Sequence, residues 1–305
     1  MKAVGATGQD NMTRLFDVDE PSAAHDGVVV EVMAASVNDF DREALRGHAT
    51  RSGDQDPVML GRDFVGRVTA VGEDVDYIDI GTHVAGALSP QALGQPGSFA
   101  ERVAVPAGSL APVPAGVDVE HAAGVGLAGV TALDAINALG AARLGKLVIH
   151  GPVSEVGGFA LQLAKAHGAV VAVITAESQV DLAYRLGADF VAAEPKTASE
   201  AVEAVRDFSG GGADTAIHVA GDLAAAASMV RPDGIYTSVD GTVLSGDGYV
   251  PTIVTLSGHK LADLLFKVAA RRLISPVGRT LSFDQIELAV NLDGGDINGR
   301  TVVVR

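Results

Sequence analysis

The sequence predicts an α/β chain in two domains: a β-rich N-terminal part followed by a doubly wound parallel sheet. Three observations lead there. The first third reads as short alternating strands separated by Gly- and Pro-bearing loops, the texture of a compact β domain. From about Pro114 onward, strands alternate with helices, which implies βαβ units and parallel pairing. The composition is 48% hydrophobic but only 4% aromatic, with 37 Gly, so the core is built from Ala, Val, Leu and Ile, as in parallel sheets with tight turns.

Taken in order, Val28–Val32 (VVVEV), Val65–Val71, His83–Ala87 and Ala100–Val105 are predicted strands, with loops such as Gly94–Gly97 between them. Val119–Leu139 reads as one helix rich in Ala and Leu. Lys146–His150 is a buried strand, followed by a glycine-bearing turn and an amphipathic helix at Phe159–His167. Val170–Thr175, Phe190–Ala193, Thr215–Val219 and Gly234–Val239 are the next strands. Helices are predicted to end at Leu182–Leu186, where Gly187 is a natural C-terminal cap, and to cover Ser199–Phe208. The last stretch holds a helix after Leu261, another near Gln285–Val290 and a final strand at Arg300–Val304.

The formal net charge is −16. Such a surface repels phosphate backbones and argues against nucleic acid as a partner. With no cysteine in 305 residues, disulfides, thiolate nucleophiles and cysteine-ligated zinc are all ruled out. No run reaches the ~20 apolar residues that span a bilayer, and the N-terminus lacks a signal-peptide pattern. The expectation is a cytoplasmic protein with no membrane partner.

Between the strand Lys146–His150 and the following helix lies His150-Gly151-Pro152-Val153-Ser154-Glu155-Val156-Gly157-Gly158. A strand, a glycine turn and a helix N-terminus bring free N–H groups and positive potential together, which suits a dinucleotide pyrophosphate. The surrounding run LVIHGPVSEVGGFALQLAKAHGAVVAVIT resembles the cofactor-binding segment of zinc-free quinone oxidoreductases in the medium-chain dehydrogenase/reductase superfamily. Further stretches resemble the same family in the same order: Pro57–Val75 (PVMLGRDFVGRVTAVGEDV), Gly97–Pro106 (GSFAERVAVP), Leu127–Leu133 (LAGVTAL), Leu186–Asp189 (LGAD) and Pro276–Arg279 (PVGR).

The resemblance implies a GroES-like β domain from residues 1–115 completed by 271–305, and a Rossmann domain from 116–270. It implies reduction of a small-molecule electrophile, a quinone or conjugated carbonyl, by NADP(H) or NAD(H) without zinc. In that reading Gly151, Val153, Ser154, Glu155, Val156 and Gly157 hold the pyrophosphate, and Thr175 and Gln179 line the adenosine end. Asn38 and the loop Val239, Asp240 and Gly241 frame the nicotinamide and substrate, and Thr131 faces the cofactor. Family members often pair their sheets edge to edge, so a homodimer is expected, here through Tyr249–Leu256.

Each assignment has a plainer alternative. Asn38 is either the family's Asn near the nicotinamide ribose or a turn-forming residue after a strand. Asp41 is a family acid or a structural cap, and Thr131 a cofactor contact or a buried helix residue. Ser154 has no G-x-S-x-G setting and reads as a helix N-cap. The positions matching zinc ligands in metal-dependent relatives are Asn38, Arg62 and Asp63. The eight histidines (His25, His48, His83, His121, His150, His167, His218, His259) show no H-x-x-x-H spacing.

Two departures bear on the cofactor. Ser154 and Glu155 stand where the family writes glycine. A carboxylate at a helix N-terminus is favourable by roughly 0.3–1 kcal/mol in an empty helix but opposes a bound phosphate by several kcal/mol at close range, unless it turns outward. Where relatives hold a 2′-phosphate, this chain has Ala176, Gln179 and Glu194, with Glu177 nearby; an acid there favours a ribose hydroxyl. Three readings stay open: binding of NAD(H) or weak binding of NADPH, normal binding with Glu155 turned out, or a non-catalytic member that binds a ligand or partner.

Overall fold

A computed structural model describes residues 1–6, 12–46, 57–89, 97–193, 195, 197–241, 246–292 and 299–305. Glu194, His48, most of Gly94–Gly97 and all but the first residue of the loop Arg46–Asp56 lie outside the described residues. The chain divides into two compact units. One comprises Met1–Leu127, Leu256–Asp293 and Arg300–Arg305; the other is built on Ala128–Thr255.

The first unit opens with β1 (Lys2–Ala6), β2 (Thr13–Asp17), β3 (Gly27–Ser36), α1 (Asp39–Leu45), β4 (Val58–Met59), β5 (Asp63–Val71), β6 (His83–Ala87), β7 (Arg102–Pro106), β8 (Ala111–Pro112) and α2 (Val119–Ala123). A small antiparallel sheet runs β2-β1-β4. The main sheet runs in the order β14-β15-β3-β5-β6-β8, with β7 also paired to β3; its two members β14 (Val277–Ser282) and β15 (Arg300–Val304) come from the chain's end. The GroES-like unit is thus closed by the C-terminal strand: Val302, Val303 and Val304 pair with Ser36, Ala35 and Ala34 of β3. Its core is the alternating inward set Val28, Val30, Val32, Phe64, Val68, Val84 and Val103, all under 2% exposed. Aliphatic β-branched residues fit a pleated surface buried on one face.

The second unit alternates strand and helix as predicted. After α3 (Gly126–Leu139) come β9 (Lys146–His150), α4 (Val156–Ala166), β10 (Val170–Thr175), α5 (Val180–Arg185), β11 (Phe190–Ala193), α6 (Ala198–Ser209), β12 (Ala213–His218), α7 (Leu223–Ser228) and β13 (Val230–Ser238). The sheet is parallel throughout, in the order β11-β10-β9-β12-β13. Order reverses between β9 and β12, the switch point outside whose strand ends α/β sheets bind ligands. The segment Tyr249–Leu256 does not form a strand; Val250 N–H donates to Tyr236 O of β13 at 2.8 Å and then the chain turns away toward α8 (Gly258–Ala269). The last helix, α9 (Ile286–Asn291), precedes β15.

Two expectations change. The predicted single helix Val119–Leu139 is two helices, α2 and α3, broken at Gly124 and Val125. The break is polar in origin. A Cβ on Gly126 would lie 2.3 Å from an Asp63 carboxylate oxygen, and that carboxylate accepts the Leu127 N–H at the start of α3. Residues 116–127 and 256–270, expected within the Rossmann part, pack instead with the β unit. α2 lies on β3 and β5, and α8 lies on β8 and β6.

Candidate functional site

The glycine turn forms a pocket on the C-terminal edge of the parallel sheet. It has a volume of about 320 Å³ and is lined by the end of β9 (His150, Gly151, Pro152), the end of β10 (Ile174, Thr175, Ala176, Gln179), Pro195, and the turn after β12 (Ala220, Gly221). Gly151 takes φ +128, and a Cβ there would meet Ala220 N at 2.7 Å. Only glycine lets β9 leave the sheet this close to the neighbouring strand's exit.

Of the residues expected to hold a dinucleotide, Gly151, Val153, Ser154, Glu155, Val156, Gly157, Thr175 and Gln179 come together around this edge. Their hydrogen bonds correct several expectations. Gln179 is 1% exposed, and its Oε1 accepts the Val153 N–H at 2.7 Å. The Val153 N–H, one of the loop N–H groups, is therefore already paired within the protein. Ser154 is not the N-cap of α4; Glu155 is, and the Ser154 hydroxyl accepts from Gln179 Nε2 at 3.4 Å. Thr175 Oγ1 lies 3.5 Å from the same Gln179 oxygen. Glu155 does not turn outward: it is 8% exposed at the helix N-terminus. Relief of repulsion by a solvent-facing carboxylate is thus not the arrangement found.

Val239, Asp240 and Gly241 follow β13. Val239 N–H donates to His218 O at 3.0 Å, so this loop starts beside the end of β12. Thr131 is 6% exposed within α3.

Two residues that enter the sequence reading only as histidines without metal-ligand spacing stand at the pocket. His150 and His218 end the adjacent strands β9 and β12 in direct register, with ring centroids 5.8 Å apart. His150 lines the pocket, and its buried Nδ1 has no partner among the described residues. Burial, and then the neighbouring His218 charge, hold the His150 pKa below 6.5, opposed by Asp222. The signal was available in principle, since each His closes a predicted strand, but only the β9–β12 pairing makes them neighbours.

Asn38 lies in the first unit, inside a buried polar network. Arg300 Nη2 of β15 donates to Asn38 Oδ1 at 2.7 Å, to Ser36 Oγ at 2.9 Å and to Asp63 Oδ2 at 3.1 Å. The Asn38 amide donates to Ser36 O and Asp63 Oδ2, both at 3.3 Å. Ser36 Oγ also donates to Asp63 Oδ2 at 2.9 Å. The amide of Asn38 is thus spent on holding Asp63 and Arg300. Asp41 is the structural acid of the two alternatives: it accepts from Asn38 N at 2.8 Å and Gly61 N at 2.7 Å, fixing α1 to the turn before β5. Burial raises its pKa against those bonds and against the charges of Arg62 and Arg42. Arg62 is 1% exposed, lies over the Phe40 ring at 4.3 Å and donates to Met59 O; its burial lowers its pKa, opposed by Asp41.

The donor set at the zinc-matching positions is thus an amide, a guanidinium and a carboxylate already paired with a second guanidinium. Among the described residues, no three His, Cys, Asp or Glu side chains come together in a way that could hold a metal ion. No helix among them is long and apolar enough to cross a membrane.

Comparison with known proteins fits this architecture. Residues 24–115 match the alcohol dehydrogenase GroES-like domain, and residues 156–266 match the domain described as zinc-binding dehydrogenase. The chain is 32% identical over 223 residues to a zinc-type alcohol dehydrogenase-like protein of Schizosaccharomyces pombe, a match covering 71% of this chain and 63% of that one. It is 31% identical over 182 residues to the mitochondrial NAD(P)H oxidoreductase RTN4IP1 of Mus musculus, covering 54% and 45%. The chain thus spans less than two thirds of the length of these relatives. The quinone oxidoreductase of Coxiella burnetii superimposes with a TM-score of 0.84 at 22% identity, over 100% of this chain and 99% of that one. With both domain models matched in order and the whole fold shared, the chain belongs to the medium-chain dehydrogenase/reductase superfamily.

Proposed function

We propose that the chain is a zinc-independent reductase that transfers a hydride from NADH or NADPH to a quinone or conjugated carbonyl. The observation that carries this reading is the pocket at the sheet's switch point, where Gly151 brings the β9 exit against Ala220 and Gly221. Superfamily membership and the NAD(P)H oxidoreductase among the relatives support a nicotinamide cofactor. The pocket fits the adenosine half of such a molecule: its lining is mostly apolar side chains and backbone, with Gly151 and Gly221 leaving room for close approach.

A bound reduced nicotinamide supplies the hydride; the protein's part is orientation and electrostatics. Gly151 admits the backbone approach, and the α4 N-terminus lends positive potential. Gln179 fixes the loop by holding Val153 N. Glu177, exposed just past β10, is the acid placed to accept from a ribose hydroxyl. Asn38 serves the reaction at one remove, by holding Asp63 and Arg300 in place. Zinc independence is supported by the donors themselves, since the matching positions carry an amide, a guanidinium and a carboxylate already paired with Arg300.

The test is loss of reduced-nicotinamide absorbance when protein is mixed with NADH or NADPH and a benzoquinone or enone, before and after chelator treatment. Turnover unaffected by chelation supports the reading; turnover restored only by added zinc contradicts it.

A second reading rests on Glu155. A carboxylate 8% exposed at the α4 N-terminus, with Val153 N already paired, is what a chain that has given up the pyrophosphate would carry. On that reading the protein binds another ligand or a partner, and neither nicotinamide binds the wild-type protein.

A further inference from the structure

α8 buries one side and leaves the other bare. Leu261, Leu264 and Leu265 are buried, while His259, Asp263, Phe266 and Ala270 follow at helical spacing on the solvent side. Of the nine phenylalanines Phe266 alone is exposed, at 63%, and Ile274 just past the helix is 52% exposed. Between them lie Arg271 and Arg272, both exposed and, among the described residues, without an ion-pair partner. Arg271 closes α8 in the left-handed region, at φ 55, the only residue other than glycine to do so among the described residues. Its N–H donates to Val268 O, and the Arg272 N–H returns to Lys267 O at 2.8 Å. Glycine fills that role without the steric cost of a Cβ, so this guanidinium stands at the surface against a local preference.

A patch of opposite charge stands on the same unit. The segment Gly72–Thr82 joins β5 to β6. Val75 and Ile78 are buried in the core, which leaves Tyr77 and Ile80 outward, 66% and 62% exposed. Asp74, Asp76 and Asp79 are exposed beside them, and none has an ion-pair partner among the described residues. Val75 N–H donates to Gly72 O at 3.1 Å and Gly81 N–H to Val68 O at 2.8 Å, which holds the segment in shape.

We propose that these two patches join copies of this chain, the basic patch of one copy seated on the acidic segment of the next. Each side offers two bare apolar side chains beside unpaired charges, and the two signs are opposite. Burying the apolar atoms favours association, and arginine meets a carboxylate through two parallel N–H bonds. Arginine and tyrosine are residue types that carry binding energy at protein interfaces. Both patches are formed before contact, so little is lost in ordering them. The net charge of −16 repels copies that meet through two acidic faces, which leaves the basic patch as the favourable approach. The contact joins unlike surfaces. It closes a dimer where a two-fold axis lets it form twice, and otherwise extends into a ring or chain of copies. It is separate from the pocket and from the segment Tyr249–Leu256, so it stands whether or not a dinucleotide binds.

The experiment is sedimentation velocity on the full chain and on two charge reversals, Arg271→Glu/Arg272→Glu and Asp76→Lys/Asp79→Lys. All four positions are exposed, where substitutions disturb folding little. Each reversal alone sets like charges against one another. It is expected to weaken association at least about tenfold and to give a smaller species than wild type. In an equimolar mixture of the two variants every patch again finds a segment of opposite sign, and the wild-type size is expected to return. Arg143→Glu/Arg185→Glu makes the same charge change at exposed positions on the other unit and is expected to leave the size unchanged. A wild-type chain that is monomeric at roughly 100 µM overturns the proposal and leaves the basic patch to another acidic partner. Assembly that survives either reversal overturns it, as does a mixture that stays at the size of its parts. Equal loss in the Arg143/Arg185 variant assigns the effect to net charge and overturns it as well.

Discussion

The Arg300 guanidinium lies 3.1 Å from the Asp63 carboxylate, and both side chains are fully buried. One comes from the last strand and the other from β5, with β3 between them. Ser36 and Asn38 complete the network from the end of β3 and the residues just beyond it. A buried ion pair with this many hydrogen bonds is costly to break on one side only, because the remaining charge stays buried. Arg300→Met is expected to destabilise the protein by about 3–5 kcal/mol, read as a lower urea midpoint. The double variant Arg300→Met/Asp63→Asn is expected to recover part of that loss.

Glu155→Gly is expected to raise affinity for NADH by about tenfold or more, since it removes a buried like charge from the phosphate end. Isothermal titration of both proteins checks this. Equal affinities would mean that Glu155 does not oppose the pyrophosphate.

Most of the fold was legible in the sequence. The five strands of the parallel sheet and the helices between the first four follow from Val- and Ala-rich runs punctuated by Gly, while α7 between β12 and β13 was not foreseen. Among those strands β13 departs most from expectation, beginning at Val230 rather than Gly234. The break at Gly124–Val125 was not legible, because it answers to a carboxylate 63 residues earlier in the chain than Gly126. The site was half legible. Gly151 and Gln179, read from the loop and the strand end, both line the pocket. Who holds whom was not: Gln179 on Val153, or His218 beside His150, depends on strand pairing and on side-chain rotamers that no spacing encodes.

Glu177, exposed beyond β10, predicts preference for NADH over NADPH. Glu177→Ala is expected to narrow the ratio of the two affinities by weakening rejection of the 2′-phosphate, with the NADH value changing less. Paired titrations with the two cofactors measure the ratio directly.

Asp189 joins the strand β10 to the LGAD turn. Burial raises its pKa, but the Lys165 hydrogen bonds, the Val171 N–H and the Lys165 charge outweigh that and leave it below 3.8. A carboxylate whose folded pKa is depressed contributes stability above its unfolded pKa and loses it as pH falls through the folded value. Asp189→Asn is therefore expected to be less stable than wild type at neutral pH, with the difference vanishing below pH 3.8. Urea midpoints across that range check the sign; a gap that persists at low pH would contradict it.

The central claim is that the pocket framed by His150, Gly151, Thr175, Ala220 and Gly221 takes a nicotinamide dinucleotide. Titrating the wild-type protein with NADH and following its fluorescence tests this most directly. A saturable change at neutral pH that is competed by NAD⁺ is the predicted result. No change up to millimolar NADH would contradict it.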